Sequence, residues 1–350
     1  MARAAAGRAK RYAAAVKRAN GPTHPRYPLA LIHPLGPAFR HLPLSLRRHL
    51  LYLRTYGRWG NFRAPKRGSE KTQWRIINDR RAILAFTQDK LAAKEYVRTV
   101  LVEHQLEDFV KIPATLWVGT DVRELQALSA QLPARWVLKP NHSSGRFRVL
   151  DSDEAPLDWS DLIAAGDQWV QRDEEELVFG HWAYGLARHL LIAEERVGGG
   201  EEPPLELKAH THDGETIHYF WVDRARPSAS YSCFRADGSW FRWRSEHDPI
   251  NEDPGDLPML ATEVRERFLE LNRAIGSPFD KIRVDYLYEH GALWFGELTS
   301  YQTAGLFPVS DENDDAHGAC WALPDLTAPD PREAEWRALL EGVPKGTLQR

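Results

Sequence analysis

Lys139 closes an apolar run, Trp136-Val137-Leu138, and Pro-Asn-His-Ser-Ser-Gly follows before a second apolar run begins. A lysine at a strand end can hold its ammonium over a bound phosphate. A following loop of small residues turns backbone N–H groups toward the same anion. Gly145 permits close backbone approach, and Ser143 and Ser144 add hydroxyl donors. Taken alone, so short a pattern is more simply a hairpin loop after a surface lysine.

The stretch IRVDYLYEHGALWFGELTS alternates as two strands around Glu289-His290-Gly291. With those three residues as the loop, Tyr288 faces Ala292, Asp285 faces Phe295 and Arg283 faces Glu297; period two adds Thr299 to that face. One face then carries Arg283, Asp285, Glu297 and Thr299. Two carboxylates and a hydroxyl are hard oxygen ligands suited to magnesium, which keeps water and phosphates in its other positions. Arg283 can neutralise a phosphoryl group in transfer. A salt-bridged sheet surface is the competing reading, but the second acid is one that a single arginine does not balance. A third segment, RHLLIAEERVGGG, runs through Glu194-Glu195 and Val197 into glycines. It can be a hinge whose backbone reads a purine edge, or simply a strand leaving the core.

Other clusters have plainer readings. His210 and His212 alternate on one strand with His218 on the next; metal ligation is open to them, but a half-exposed sheet face is preferred. Tyr231, Phe234, Trp240, Phe241 and Trp243 can stack on sugar rings, though cross-strand packing is the commoner cause. Asp311, Glu312, Asp314 and Asp315 are read as an acidic, solvated loop.

The elements that must position these residues are mixed. Leu44 to Tyr56 has helical spacing after a Pro- and His-rich linker from Pro22 to Pro43. Ser69 is a plausible N-cap, and Asp89 to Glu103 is a helix. Strands are expected at Leu116–Val118, on both sides of the Lys139 loop, and at His189 to Ala193; Asp121 to Gln131 and part of Asp158 to Gly180 are helical. From Leu205 hairpins dominate, with turns at Asp213-Gly214 and Asp237-Gly238, and Glu263 to Ile275 is a helix. This order suits an α+β enzyme built around a cleft. A chain of 350 residues implies more than one subdomain. Two cysteines exclude a disulfide framework, and no apolar run is long enough to span a bilayer. The Ala-rich N-terminus, with basic residues throughout, is not a secretory signal. About fifteen Lys and Arg and no acid fall between Met1 and Ser69. That block either seeks an anionic surface or polymer or docks on the acidic part of the same chain, the two readings weighing equally. Nucleic acid is not expected, since no nucleic-acid module accompanies the charge.

Together, SEKTQWRIINDRR, DKLAAKEYV, WVLKPNHSSG, LKAHTHDG and FGELTSYQTAG resemble, in that order, the TupA-like branch of the ATP-grasp enzymes, named for teichuronopeptide biosynthesis. The resemblance covers roughly Pro65 to Pro324. It implies an ATP-grasp fold: two α+β subdomains clasping a nucleotide, with a basic helical N-terminal extension. The divisions expected are an extension and linker (1-64), an N-terminal α/β subdomain (65-130), a small lid subdomain (131-195), a large subdomain with the metal-binding hairpin (196-324), and a tail (325-350).

The resemblance also implies roles. Lys90 and Lys139 contact the phosphates of ATP, with His142, Ser143, Ser144 and Gly145 as a mobile loop over them. Glu194 meets the adenine amine, the backbone of Glu195 and Val197 completes the purine edge, and Glu206 holds the ribose. Lys208 matches a lysine of the branch, and Arg283 an arginine that steadies the transferring phosphoryl group. Asp285 and Glu297 hold Mg2+; Thr299 stands where many relatives have Asn, which puts a full second metal position in doubt. The implied activity is carboxylate–amine ligation through an acylphosphate on a cell-envelope polysaccharide or glycopeptide precursor, with carboxylate- and amine-bearing substrates and an anionic glycan among the implied partners, in the cytoplasm or at the inner face of the plasma membrane. Glycosyl transfer, phosphorylation of a hydroxyl and non-catalytic glycan binding are the alternatives.

Overall fold

The computed structural model describes residues 36–143, 145–171, 179–198, 203–224, 230–242, 257, 259–307 and 309–341. Most of the basic N-terminal arm, Ser144, the acidic run at 173–176, two of the three hinge glycines and Trp243 lie outside the described residues.

In chain order the elements are α1 (Leu44–Tyr56), α2 (Gly68–Asn78), α3 (Ala82–Phe86), α4 (Lys90–His104), β1 (Val110–Lys111), β2 (Thr115–Gly119), α5 (Val122–Ala127), β3 (Arg135–Pro140), β4 (Arg148–Asp151), α6 (Trp159–Trp169) and β5 (Leu191–Glu195). They continue with β6 (Leu205–His212), β7 (Glu215–Asp223), β8 (Ser230–Arg235), β9 (Trp240–Phe241), α7 (Thr262–Gly276), β10 (Ile282–Glu289), β11 (Ala292–Thr299), α8 (Asp311–Cys320) and α9 (Glu333–Glu341). A short 3-10 helix, Gly36–His41, replaces part of the expected extended linker.

The strands form two sheets, one ordered β1-β11-β10-β6-β7-β8-β9 and one ordered β2-β5-β3-β4. In the large sheet, alternation sends Leu207, Ala209, Val284, Tyr286 and Leu298 to one face. There they join Phe268, Leu271 and Ile275 of α7 and Ala93, Tyr96 and Val97 of α4 in the main core. The residues between them, Glu206, Lys208, Arg283, Asp285, Glu297 and Thr299, therefore share the opposite face. The small sheet packs Trp117, Trp136, Leu138 and Leu191 against Val122 of α5 and Leu162 and Trp169 of α6. Its other face meets α4, where Leu91 packs with Val118 and Ile192. Helix α4 thus touches both sheets.

Several local expectations change. The last hairpin turns on His290 and Gly291 alone, both at positive φ, so Glu289 pairs with Ala292 and Tyr288 with Leu293. A bulge between Asp285 and Tyr286 then takes up one residue. Asp285 comes opposite Glu297 and Arg283 opposite Thr299, in place of the pairs Asp285–Phe295 and Arg283–Glu297. A Cβ on the extra residue, Gly296, would lie 2.9 Å from the Asp285 carbonyl oxygen. The two register differences add to a shift of two residues, which preserves the period-two alternation, so the same four side chains share a face.

Ser69 is not an N-cap. The cap of α2 is Arg67, and the Ser69 hydroxyl donates to Asp314 (2.6 Å). Asp311 to Asp315 is not a loop but the first turn of α8, where carboxylates oppose the positive helix end. Asp311 accepts from Arg58 (2.7 Å) and Arg67 (2.6 Å), and Asp315 lies 3.2 Å from Arg67. Arg48 is fully buried and donates to Gln73, Phe179 and Ala304. Within the described part of the basic block, Arg58 and Arg67 dock on the acidic start of α8, while Arg48 is held by an amide and two backbone carbonyls. Phe234 is in the core, stacked 5.5 Å from Tyr219, with Trp240 packed alongside, so packing accounts for this part of the aromatic run.

Candidate active site

Helix α4 begins at Asp89, whose carboxylate caps the Ala92 N–H (2.9 Å) and accepts two bonds from the Arg188 guanidinium (2.6 and 2.8 Å). Asn141 completes the cap: its carbonyl accepts from Lys90 N–H and its side chain from Leu91 N–H (2.9 Å). With the first amides satisfied, the Lys90 ammonium stands in the first turn of the helix. A cation in the first turn opposes the helix dipole, so its position has to be supported by other groups. Lys90 Nζ donates to the Ser143 carbonyl (2.6 Å), tying α4 to the loop after β3.

That loop carries polar atoms without protein partners. His142 is buried, stacks on His189 at 4.0 Å, and neither ring nitrogen has a hydrogen bond; nor has the Ser143 hydroxyl. Burial, then His189 and Lys90, push the His142 imidazole down to about 3, so it is neutral near pH 7. Ser143 and Gly145 both lie at positive φ (66° and 62°), a backbone conformation found in anion-binding loops. Buried donors without partners beside an ammonium are what a phosphate would satisfy.

Lys139, next to last in β3, lies diagonally across from Glu194 of β5 and meets its Oε1 at 2.5 Å. Lys94, one turn after Lys90 on α4, takes the other carboxylate oxygen and donates to the Pro113 carbonyl (2.8 Å). Burial alone would raise the Glu194 carboxyl, but Lys139 and Lys94 hold it down at about 2. Glu195 accepts from Ala114 N–H through its side chain (3.1 Å), and its own N–H donates to Ala114. Val197 is buried just beyond.

On the large sheet, Lys208 bridges Glu206 (2.8 Å) and Asp285 (2.5 Å). Arg283 forks onto Asp285 at 2.5 and 2.6 Å and donates to Thr299 (3.1 Å). Burial opposes the charge on Asp285, but Arg283 and Lys208 keep its carboxyl below the ordinary range. Glu206, also paired with Arg224, is held at about 2 in the same way, with Lys208 and Arg224 outweighing burial. Glu297 is less engaged: its side chain is 35% exposed, 3.8 Å from Arg283 and 3.5 Å from Thr299. Its open oxygens, beside Asp285 and Thr299, form a donor set that fits magnesium.

The two sheets share one electrostatic field at Lys90. Burial is the main cause lowering its ammonium to about 8; Glu297 pulls the other way and Lys139 reinforces the fall. Of the residues singled out from sequence, Lys90, Lys139 and Glu194 with the loop form one group, and Glu206, Lys208, Arg283, Asp285, Glu297 and Thr299 another. Lys94, Asn141, Asp89, Arg188 and Arg224 were missed. The spacing of Lys90 and Lys94, four apart on one helix face, is the signal that points to Lys94.

A comparison with curated proteins gives no match. Among solved structures, D-alanine–D-alanine ligase from Bacillus anthracis complexed with ATP is similar at 16% identity and a TM-score of 0.31, over 60% of this chain and 54% of that one. The Helicobacter pylori D-alanine–D-alanine ligase is similar at 12% identity and a TM-score of 0.36, over 68% and 59%. The ATP-grasp ligase PsnB with its minimal precursor is similar at 13% and 0.33, over 65% and 60%. The match thus spans little more than half the length of these proteins. The family model described as TupA-like ATPgrasp matches residues 70–320, most of the chain and both groups of candidate residues, and the chain belongs to that family.

Proposed function

We propose that the chain is an ATP- and Mg2+-dependent carboxylate–amine ligase. A substrate carboxylate takes the γ-phosphoryl group of ATP, giving an acylphosphate and ADP. An amine then attacks the acyl carbon, phosphate leaves, and an amide remains. This chemistry needs no protein nucleophile; it needs positioning and cations around phosphoryl oxygens. Lys90, Lys139 and the 142–145 loop hold the phosphates, and Arg283 and Lys208 steady the group in transfer. Glu194, Glu195, Val197 and Glu206 line the nucleoside. Asp285 and Glu297 would hold magnesium, with Thr299 directly or through water; the ion supplies charge neutralisation at the phosphoryl oxygens. The substrate we propose is a cell-envelope polysaccharide or glycopeptide precursor bearing the carboxylate, used on the cytoplasmic side. Among the described residues no helix is long and apolar enough to cross a membrane.

The observation that supports this reading is geometric: the Lys90 ammonium meets the Ser143 carbonyl beside His142 and the Ser143 hydroxyl, whose buried polar atoms have no partner, while Glu297 of the other sheet keeps a half-open carboxylate next to Thr299 and Arg283. The test is thermal denaturation with MgATP, MgADP and nucleotide sugars. A ligand at a hundred times its Kd stabilises by about 2.7 kcal/mol. Adenine nucleotides should stabilise, and Lys139→Ala should weaken MgADP about 10- to 100-fold, the worth of a charge-assisted hydrogen bond. Phosphate release should require a carboxylate and an amine together. Stabilisation by nucleotide sugars alone, or a phosphorylated alcohol as the product, would replace the ligase with glycosyl or phosphoryl transfer.

A further inference from the structure

His210 of β6 and His218 of β7 are cross-strand partners, and His317 of α8 comes down onto them from above the sheet. One ring nitrogen from each lies within 4.8 Å of the others. All three are buried, at 4%, 2% and 7% exposure, which overturns the half-exposed sheet face expected for this region. We propose that His210, His218 and His317 form a binding site for a borderline transition-metal ion such as Zn2+, with its fourth position left to water or an external donor.

The geometry supports an ion. Tetrahedral Zn–N bonds of about 2.0–2.1 Å put ligand nitrogens about 3.3 Å apart. His317 Nε2 and His218 Nδ1 are already 3.1 Å apart. The wider nitrogens need to close by about 1.5 Å at most, within reach of side-chain rotation. Burial is the main cause holding all three imidazoles well below their ordinary range, with the neighbouring imidazoles and Lys281 adding to it. They are therefore in the neutral form that ligates. Gln302 lies 3.2 Å from His210 Nδ1 and supplies an amide that orients the ring. Three neutral nitrogens without a carboxylate suit zinc, copper or nickel and not magnesium or calcium. Lys281 and Arg283 add positive charge nearby, which opposes any cation, so affinity has to come from the strength of the metal–nitrogen bonds. The triad continues the face that carries Lys208 and Arg283, His210 being opposite Arg283. An ion here would fasten α8 over the end of the candidate active site. The proposal does not depend on the ligase reading.

The experiment uses the full chain. Protein stripped with a strong chelator is titrated with Zn2+ against a chromophoric chelator, and with Co2+ while visible absorption is recorded. One equivalent of each is expected, with the intense visible bands of four-coordinate Co2+ and a higher melting temperature when loaded. His317→Gln and, separately, His218→Gln should lose the stoichiometric ion, while Glu297→Gln, checked by circular dichroism alongside them, should keep it. Failure of the wild-type chain to take up an equivalent of either ion, or uptake undiminished in a folded His317→Gln, overturns the proposal.

Discussion

Replacing Glu194 with glutamine keeps the shape of a buried side chain and removes one charge from between two lysines. Lys139 and Lys94 each hold one carboxylate oxygen, and the side chain is 7% exposed. The carboxyl falls from 4.5 to about 2. That difference corresponds to about 3 kcal/mol at neutral pH. Lys94 is itself lowered, because burial outweighs the pull of Glu194. The figure therefore describes losing the carboxylate while two ammonium groups stay buried, and it falls among the values for buried pairs broken on one side. The sign follows from a depressed folded value. The stabilisation is complete above the unfolded value, near 4.5, and is lost as pH drops through about 2. The wild-type advantage should be about 3 kcal/mol at pH 7 and roughly half that at pH 3. Urea unfolding followed by tryptophan fluorescence at several pH values reads it directly. Adding Lys94→Met to Glu194→Gln should recover part of the loss, since one unpaired ammonium goes with it. An advantage below about 1 kcal/mol at pH 7, or one that does not shrink toward pH 3, would refute the pairing as the source of the stabilisation.

Gly296→Ala should destabilise by about 1–3 kcal/mol and blunt nucleotide-dependent stabilisation, because the new Cβ meets backbone at the bulge that sets Asp285 opposite Glu297; urea unfolding and thermal shift with MgADP measure both. With Lys90 near 8, polyphosphate binding should raise its proton affinity, so nucleotide binding at pH 8 takes up about half a proton and at pH 7 about a tenth or less. Calorimetry in buffers of different ionisation enthalpy reports this uptake, and Lys90→Arg should abolish it.

Much of the arrangement was legible because period two and period 3.6 are strong signals. The Asp285–Glu297 face follows from alternation and the helix over Asp89 to Glu103 from its spacing, whereas Lys139 and its loop gained weight only from the order of the motifs around them. What escaped was set by tertiary contact. The hairpin register slipped by one at the turn and by one more at the bulge, because nothing local distinguishes a three-residue loop from a two-residue turn followed by a bulge at Gly296. Ser69 has the right type for a cap but is claimed by Asp314, 245 residues away. The α8 start, with Ser310 accepting from Asn313 N–H and acids in the first turn, carries a cap signal that the density of charge hid. His317 could not be joined to His210 and His218 before that helix was recognised.

The division of charge between the two sheets follows from the same contacts. Around β3, β5 and the start of α4, Lys94 and Lys139 share the carboxylate of Glu194, Lys90 donates to backbone carbonyls, Asp89 is taken up by Arg188, and His142 stays neutral. Around β6, β10 and β11 every cation has a carboxylate, and Glu297 keeps open oxygens. A surplus of buried positive charge is costly without an anion to meet it. A buried ion pair contributes little to net stability compared with apolar packing. Neither arrangement is what packing alone would select, whereas a polyanion on the first side and a divalent cation on the second would satisfy both. That asymmetry, carried by residues on separate elements of the chain, is the physical ground on which we propose phosphate for the lysines and metal for the hairpin.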